Sequence, residues 1–451
     1  MTSPPTTIVW LRDDLRLADN PALTAAVERE GRVVVLYVLD EVSRGVRALG
    51  AASRWWLHHS LSVLGAALAE RDGSLTIREG DAASVLAKVI EETGANAICW
   101  NRRYGAVRET DALIKATLRD RGLAVRSFHA SLLFEPWTVT TAEGNPYRVF
   151  TPFWRACRER GIERVPLEAP NSVDGVELPS DSVDLLPTRP DWAAGLRESW
   201  VPGESSAHER LEKFASGALG NYHRRDEPAV EATSGLSPHL RFGEISPLQV
   251  WHRIELGALD AAARANAAKF LSELGWREFN WNILYHQTEL ATRNYRAEFD
   301  RFPWRPMTKD AVADLKAWQQ GRTGIPLVDA GMRELWHTGT MHNRVRMVAA
   351  SFLVKNLLID WRLGEQWFWD TLVDADEASN PANWQWVAGS GADAAPYFRV
   401  FNPVLQAEKF DADGEYRARW LRAPGYPEPI VDLAQSRRDA LAAYDAVKAT
   451  R

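Results

Sequence analysis

The sequence predicts an α/β domain built on a doubly wound parallel sheet, joined by a long connector to an all-helical domain. Three observations carry this reading. Short apolar runs alternate with helical stretches between residues 7 and 130. Prolines then recur at 136, 146, 152, 166, 170, 179, 187 and 190. From about Ala207 the apolar residues fall at helical spacing and strand signals stop. The expected boundaries are therefore 1–130, 131–206 and 207–451.

In order, Thr7–Leu11 reads as a short buried strand, followed by a polar turn and a helical stretch from Asn20. Arg32–Leu39 is a second strand, and Ala51–Arg71 a helix with apolar Trp56, Leu57, Leu61, Leu64 and Leu68. A strand at Leu75–Arg78, a helix at Ala82–Thr93, a strand at Ala97–Trp100, a helix near Thr110–Arg121 and a strand at Ala124–Phe128 complete the series. Neither G-x-G-x-x-G nor a Walker A loop follows the first strand, so the usual dinucleotide and nucleoside-triphosphate readings lose their main support. Within the connector only Pro152–Arg160 reads as helix. Beyond it come Ala207–Gly220, Pro247–Leu256, Ala261–Leu290, Thr308–Gln320, Ile325–Thr338, Asn343–Trp361 and Glu365–Leu372, all helical.

With 451 residues, 45% apolar and 25% charged, the chain is long enough to bury a large core without disulfides. Cys99 and Cys157 stand apart with no ligand or redox spacing. The N-terminus lacks a signal-peptide pattern, and Val33–Leu39 is far shorter than a membrane span. A soluble, cytoplasmic monomer with no membrane contact is expected. The net charge of −6 argues against a uniformly basic nucleic-acid coat, so any DNA binding needs a local basic patch. Tryptophan is unusual: of 20, 11 fall between Trp276 and Trp420, which suggests ring chemistry beyond core packing.

Four segments could carry chemistry. Glu273, Trp276 and Arg277 are spaced i, i+3, i+4 and share a helical face, either as a surface salt bridge beside a core indole or as a polar pocket with an aromatic wall. Asn343 and Met347 also share a face, offering an amide and a polarizable thioether to a ring, while Arg344 and Arg346 point elsewhere. Asp374, Asp376, Asn380, Trp384 and Trp386 lie in a stretch that reads as a polar loop. Its Asp-x-Asp has no His or Glu at EF-hand spacing, so no metal is expected, and Arg346 is a natural partner for the carboxylates. Thr233, Ser234, Gly235, Leu236 and Ser237 form a small-residue run that suits close approach of a phosphate, or equally a helix cap with Pro238 at N1.

Together, TSGLS, SELGWREF, TGIPLVDAGMRELWHTGTMHNRVRM and WQWVAGSGADAAPYFRVFNP, with VWLRDDLRLADNPAL near the start, resemble the photolyase/cryptochrome family over residues 7–445. The resemblance implies a folded FAD in the helical domain. Tyr222 and Thr233–Ser237 would hold its phosphates and ribityl chain. Arg277, Asn343, Arg346, Asp374, Ala375 and Asp376 would surround the rest, with Asn380 facing the flavin N5. Trp384, Trp361 and Trp318 would pass electrons in from the surface. Glu273, Trp276, Asn343, Met347 and Trp386 match the pocket of enzymes that split cyclobutane pyrimidine dimers in UV-damaged DNA; (6-4) photolyases carry a histidine where this chain has Met347. Arg225, Arg344 and Arg399 match backbone-contacting positions, and Arg241 is a further candidate. Phe270 departs from relatives that carry Trp there.

The resemblance also implies an antenna, methenyltetrahydrofolate or a deazaflavin, where Trp100–Tyr104 and Glu109 lie; a strand end and a helix-start charge explain those residues as well. The rival functions are a cryptochrome-type photoreceptor, disfavoured by the short sequence after the helical domain, and a dark flavin or nicotinamide oxidoreductase, disfavoured by the missing glycine motif.

Overall fold

The computed structural model describes residues 4–257, 261–394, 398–421 and 426–449. Its five strands are β1 (Thr6–Leu11), β2 (Arg32–Leu39), β3 (Leu75–Glu79), β4 (Ala97–Asn101) and β5 (Ala124–Phe128). They form one parallel sheet in the order β3-β2-β1-β4-β5. Strand runs this apolar arise because both faces are covered. Val9, Leu11, Val33, Val35, Tyr37 and Leu39 point into one core, and the alternate residues Ile8, Trp10, Val34, Leu36 and Val38 point into the other. The chain lays β2 and β3 on one side of β1 and β4 and β5 on the other. A crevice therefore opens beyond Leu11 and Asn101, where strand order reverses.

The connector carries the expected helix, as Phe150–Arg160, and a second, Ala194–Ser199, that its prolines hid. It also returns to the sheet: Val176 donates to Val33 (2.9 Å) and Asp19 to Leu167 (2.7 Å). The helical half begins at Glu204–Ser216, three residues before the expected start.

Two expectations there need correction. Asn343–Trp361 is not one helix. It runs from Asn343 to Ser351, widens into a π turn at Phe352–Asn356, and stops where Leu358 takes a φ of +54°. Asp360 then caps a new helix, Trp361–Thr371, accepting from Arg362 N at 3.0 Å. The continuous apolar run hid this break. Second, the stretch read as a polar loop contains the helix Ser379–Ala388, so Asn380, Trp384 and Trp386 are helical residues. Its Asn-Pro-Ala-Asn start looks like a turn, but proline is tolerated in a first helical turn, where its missing N–H is not needed.

The two halves are clasped by buried polar pairs. Trp56 donates to Glu244 (3.0 Å), Arg16 to the carbonyl of Gly243 (2.9 Å), and Arg47 of the sheet domain forks Glu365 of the helical one (2.7 and 2.9 Å). Among the described residues no helix is long and apolar enough to cross a membrane.

Candidate active site

Ser237 is the first residue of the helix Ser237–Phe242 rather than its cap, and Pro238 follows it in the first turn. Its hydroxyl donates to Asp374 at 2.7 Å. Arg346 grips the same carboxylate with both terminal nitrogens, at 3.1 and 2.9 Å. The Thr233–Ser237 loop, the Asn343–Ser351 helix and the 374–376 segment therefore meet at Asp374. Gly235 turns the loop with a φ of +62°, and a Cβ there would lie 2.8 Å from the Arg210 guanidinium. Arg210 keeps a buried Nε without a partner beside this loop. Small hydroxyl residues, a left-handed glycine and an under-used guanidinium are a donor set that fits a phosphate. Tyr222 is buried nearby against Phe270, ring centroids 5.4 Å apart, so Phe270 supports the wall from within. Burial, with Glu273 next, raises the Tyr222 phenol's pKa and keeps it protonated.

Asn380 is 8% exposed. Its Nδ2 donates to Glu365, to the carboxylate at 2.8 Å and to the carbonyl at 3.1 Å. Asp376 accepts from the backbone N–H groups of Ala378 (2.8 Å) and Ser379 (2.5 Å), pinning the start of the helix that carries Asn380. The carbonyl of Ala375 accepts from Arg241 at 2.8 Å.

Glu273 pairs with Lys269 at 2.8 Å and with Arg225 at 3.7 Å. Arg225 is followed by Asp226, which holds Arg344 at 2.9 Å, so charge alternates from the 261–286 helix to the Asn343–Ser351 helix. His342 caps the latter, its Nδ1 accepting from Arg344 N at 3.3 Å. That requires a neutral imidazole, and burial pushes its pKa down to about 4. Trp276 and Trp386 border one cavity of about 320 Å3, mouth included. Phe150 stacks on one face of Trp276 at 3.9 Å, leaving a single face available. Trp386 is aimed by its indole N–H, which donates to Asp393 at 3.1 Å. Asn343 is exposed and Met347 half-buried.

Arg277 leaves the group that its spacing suggested. It donates to the carbonyl of Ser131 (3.0 Å) and to Glu278 (3.3 Å), on the side facing the connector. Four residues put two side chains on one helix face, but long side chains diverge toward different partners.

The three tryptophans meet only in part. Trp318 and Trp384 lie edge to face at 6.1 Å, and Trp361 donates to Asn294 at 2.9 Å. The three together were expected to pass electrons in from the surface, and this is corrected: Trp318 is 0% exposed, its indole donating to the carbonyl of Ala349 at 3.0 Å. Trp361 and Trp384 are buried too. The half-buried tryptophans Trp304, Trp367 and Trp420, packed on the same core, are the places where such a chain could meet solvent. Nothing in their sequence spacing singles them out.

Arg241 is corrected as a DNA-facing residue. It is sealed between the domains, with Nη1 on Asp13 at 2.7 Å and a side chain only 8% exposed. Arg399 is exposed. Arg241 and Arg277 line, with Asp376, Glu377, Arg12 and Tyr104, a cavity of about 710 Å3, open mouth included, at the carboxyl ends of β1 and β4. Asn101 to Tyr104 border this cavity, but exposed Glu109 does not: it opens the helix Arg108–Asp120, and its charge suits that end. Burial and the charge of Asp13 push the Glu377 carboxyl up to about 7.

Sequence reasoning passed over Glu365, Arg47 and Glu377. Glu365 carried a signal, a lone carboxylate among aromatic residues in WRLGEQWFW, whereas Arg47 could be found only in space.

Comparisons with known proteins identify the family. Residues 7–171 match the family model "DNA photolyase", and residues 270–424 match "FAD binding domain of DNA photolyase". A deoxyribodipyrimidine photo-lyase of Agrobacterium fabrum is 49% identical, over 98% of each chain. Cryptochrome-1 of Arabidopsis thaliana is 40% identical over 92% of this chain and 62% of its own. The crystal structure of a class III photolyase from Agrobacterium tumefaciens superposes with a TM-score of 0.92 at 48% identity, covering 99% of this chain and 98% of its own. The chain belongs to the photolyase/cryptochrome family. Its α/β domain followed by a helical FAD-binding domain is the architecture of photolyase structures.

Proposed function

We propose that this chain splits cyclobutane pyrimidine dimers in DNA under blue light, using FAD held in its helical domain. The observation that carries this reading is the open cavity bordered by both Trp276 and Trp386, two indoles suited to stacking on flipped-out bases. The photo-lyase named above supports it through its 49% identity over nearly all of both chains.

Bound FAD would supply, when reduced and excited by light, the electron that opens the dimer, and would take it back from the cleaved pyrimidine, so the reaction is redox-neutral. This chain's residues hold and orient. Thr233, Ser234 and the Gly235 and Leu236 backbone receive the phosphates, with Arg210 neutralising charge. The pair Arg346–Asp374 and the buried Asn380 position the ring system, the Asn380 Oδ1 left as an acceptor because Nδ2 is taken by Glu365. Trp276 and Trp386 offer faces for stacking, and Met347 a soft contact. Glu273 hydrogen-bonds a pyrimidine edge at the mouth. Arg225, Arg344 and Arg399 supply the local positive charge that the whole chain lacks, contacting phosphates without reading sequence. Trp384 feeds electrons to the cofactor site from the Trp318 and Trp361 side.

A second chromophore, of the folate or deazaflavin class, would be held in the cavity between the domains. Asn101–Tyr104 and Arg241 border it.

The deciding experiment irradiates dimer-containing thymine oligonucleotides with blue light in the presence of the FAD-loaded, reduced chain. Loss of dimers in light and not in the dark is expected. No turnover with reduced FAD would instead favour a cryptochrome-type photoreceptor. The absorption spectrum of the purified chain checks the second chromophore through a near-ultraviolet or blue band separate from that of flavin.

A further inference from the structure

Three amide side chains border the cavity between Trp276 and Trp386: Asn280, Asn383 and Gln385. Gln385 spends its amide on backbone, donating to Leu290 (2.7 Å) and Arg293 (2.8 Å) and accepting from Tyr295 (2.7 Å). Asn383 donates to Ser379 at 2.7 Å. Asn280 differs: it is only 6% exposed, yet its side chain makes no hydrogen bond among the described residues. Neither of its amide atoms is among the buried atoms sealed from solvent without a partner, so what exposure they have opens into the cavity. An amide this deeply set, with no protein partner and open only to a cavity, is a group that native structures rarely keep without a use. Asn280 stands four residues after Trp276 on the helix Ala261–His286, so the amide and the indole share a helical face.

We propose that Asn280 is a specificity-determining residue that reads the hydrogen-bonding edge of one pyrimidine of the flipped dimer. The inference rests on the dimer-splitting function proposed above. Thymine presents an N3–H beside a carbonyl, and a carboxamide is its complement: Oδ1 accepts from N3–H while Nδ2 donates to the carbonyl oxygen. Dimer formation saturates C5 and C6 and leaves that edge unchanged. Turned over, the same amide matches cytosine, whose N3 accepts and whose amino group donates. Asn280 therefore admits both pyrimidines, with the aromatic walls supplying stacking and the amide supplying register.

The test is equilibrium binding in the dark of the FAD-loaded full chain to an oligonucleotide carrying one thymine dimer, and to the same oligonucleotide with both dimer thymines methylated at N3. The wild-type chain is expected to bind the unmodified dimer about tenfold tighter, the scale of one buried hydrogen bond. Asn280→Leu, close in size and without polar atoms, is expected to bind the unmodified dimer about tenfold more weakly and to lose about tenfold of the discrimination, any remainder belonging to Glu273. It should retain its flavin absorbance, and Asn280→Ala should behave alike. Unaltered affinity and unaltered discrimination in both variants overturn the inference. Wild-type repair alongside indifferent variants removes the inference alone; a wild type that binds no dimer removes the proposed function and the inference with it.

Discussion

Asn380 donates its side-chain amide to the buried carboxylate of Glu365, 2.8 Å away, and Glu365 is forked in turn by Arg47 from the sheet domain. The residue proposed to face the flavin N5 is thus oriented from across the domain interface. Orientation matters because only the outward Oδ1 can then accept a hydrogen bond.

Glu365→Ala should strand both Asn380 and Arg47. Removing one partner of a buried pair costs about 3 kcal/mol, somewhat less here because Arg47 is 27% exposed. A lower melting temperature is expected, together with faster air reoxidation of the reduced flavin as Asn380 turns. Unchanged values of both would refute the relay.

Trp384→Phe should block photoreduction of the oxidised cofactor while leaving repair by chemically reduced protein intact. The indole touches Phe368 (4.9 Å) and Trp318 (6.1 Å), and phenylalanine keeps the packing but not the ease of oxidation. Flash absorption and a dimer assay on the same sample separate the two activities.

Glu273→Ala should lower the repair yield several-fold with FAD still bound, since the carboxylate is engaged by Lys269 and Arg225 and, among the described residues, makes no hydrogen bond to the Thr233–Ser237 loop. Quantum yield per absorbed photon is the measurement. Equal loss of FAD and of repair would assign Glu273 to cofactor retention.

Arg344 is held by Asp226 at 2.9 Å in the free protein. A phosphate must compete with that carboxylate, so Asp226→Asn should tighten DNA binding and Arg344→Ala should weaken it. The salt dependence of log Kd should lose about one unit of slope in Arg344→Ala, whatever the sequence of the duplex. An identical slope would place Arg344 outside the DNA contact.

Two buried carboxyls make stability depend on pH. Burial, followed by the charge of Asp13, lifts Glu377 from 4.5 to about 7, and burial lifts Glu278 over the same range against the pull of Arg277. Between those values the unfolded chain has released the proton that the fold retains. Their contribution to stability is therefore greatest below about 4.5, falls as pH rises, and levels off above 7, whereas His342 and His129, held near 4 by burial, contribute in the opposite sense between about 4 and 6.5. Glu377→Gln isolates one carboxyl: its melting temperature relative to the wild type should rise from pH 5 to pH 8. A difference that is constant or falls across the window would reverse the assignment.

Much of the fold was legible because periodicity is a local property. Arg32–Leu39, Ala82–Thr93 and Ala124–Phe128 fall where alternation and helical spacing put them. The π turn at Phe352–Asn356 and the left-handed Leu358 were hidden, since an apolar run looks alike whether its helix continues or stops. The helix Ser379–Ala388 was hidden for the opposite reason, its polar start resembling a turn. The site was legible as residue types: Asp374 with Arg346, and Trp276 with Trp386. Its partners were not. Trp318 carries the right ring in a recognisable motif, yet burial under Ala349 removes it from the surface; Arg241 carries the right charge, yet Asp13 draws it inward.

By itself the sequence determined the two-domain order, the family, and which side chains carry rings, amides and charges, because composition, spacing and motifs are written along the chain. Tertiary structure alone decided which of them meet. It set Arg47 on Glu365 across more than three hundred residues, turned Arg277 from Glu273 toward Ser131, and left Asn280 unpaired in a cavity. The physical reason is that partnership depends on distance and burial in space, which packing between elements sets and local spacing does not encode.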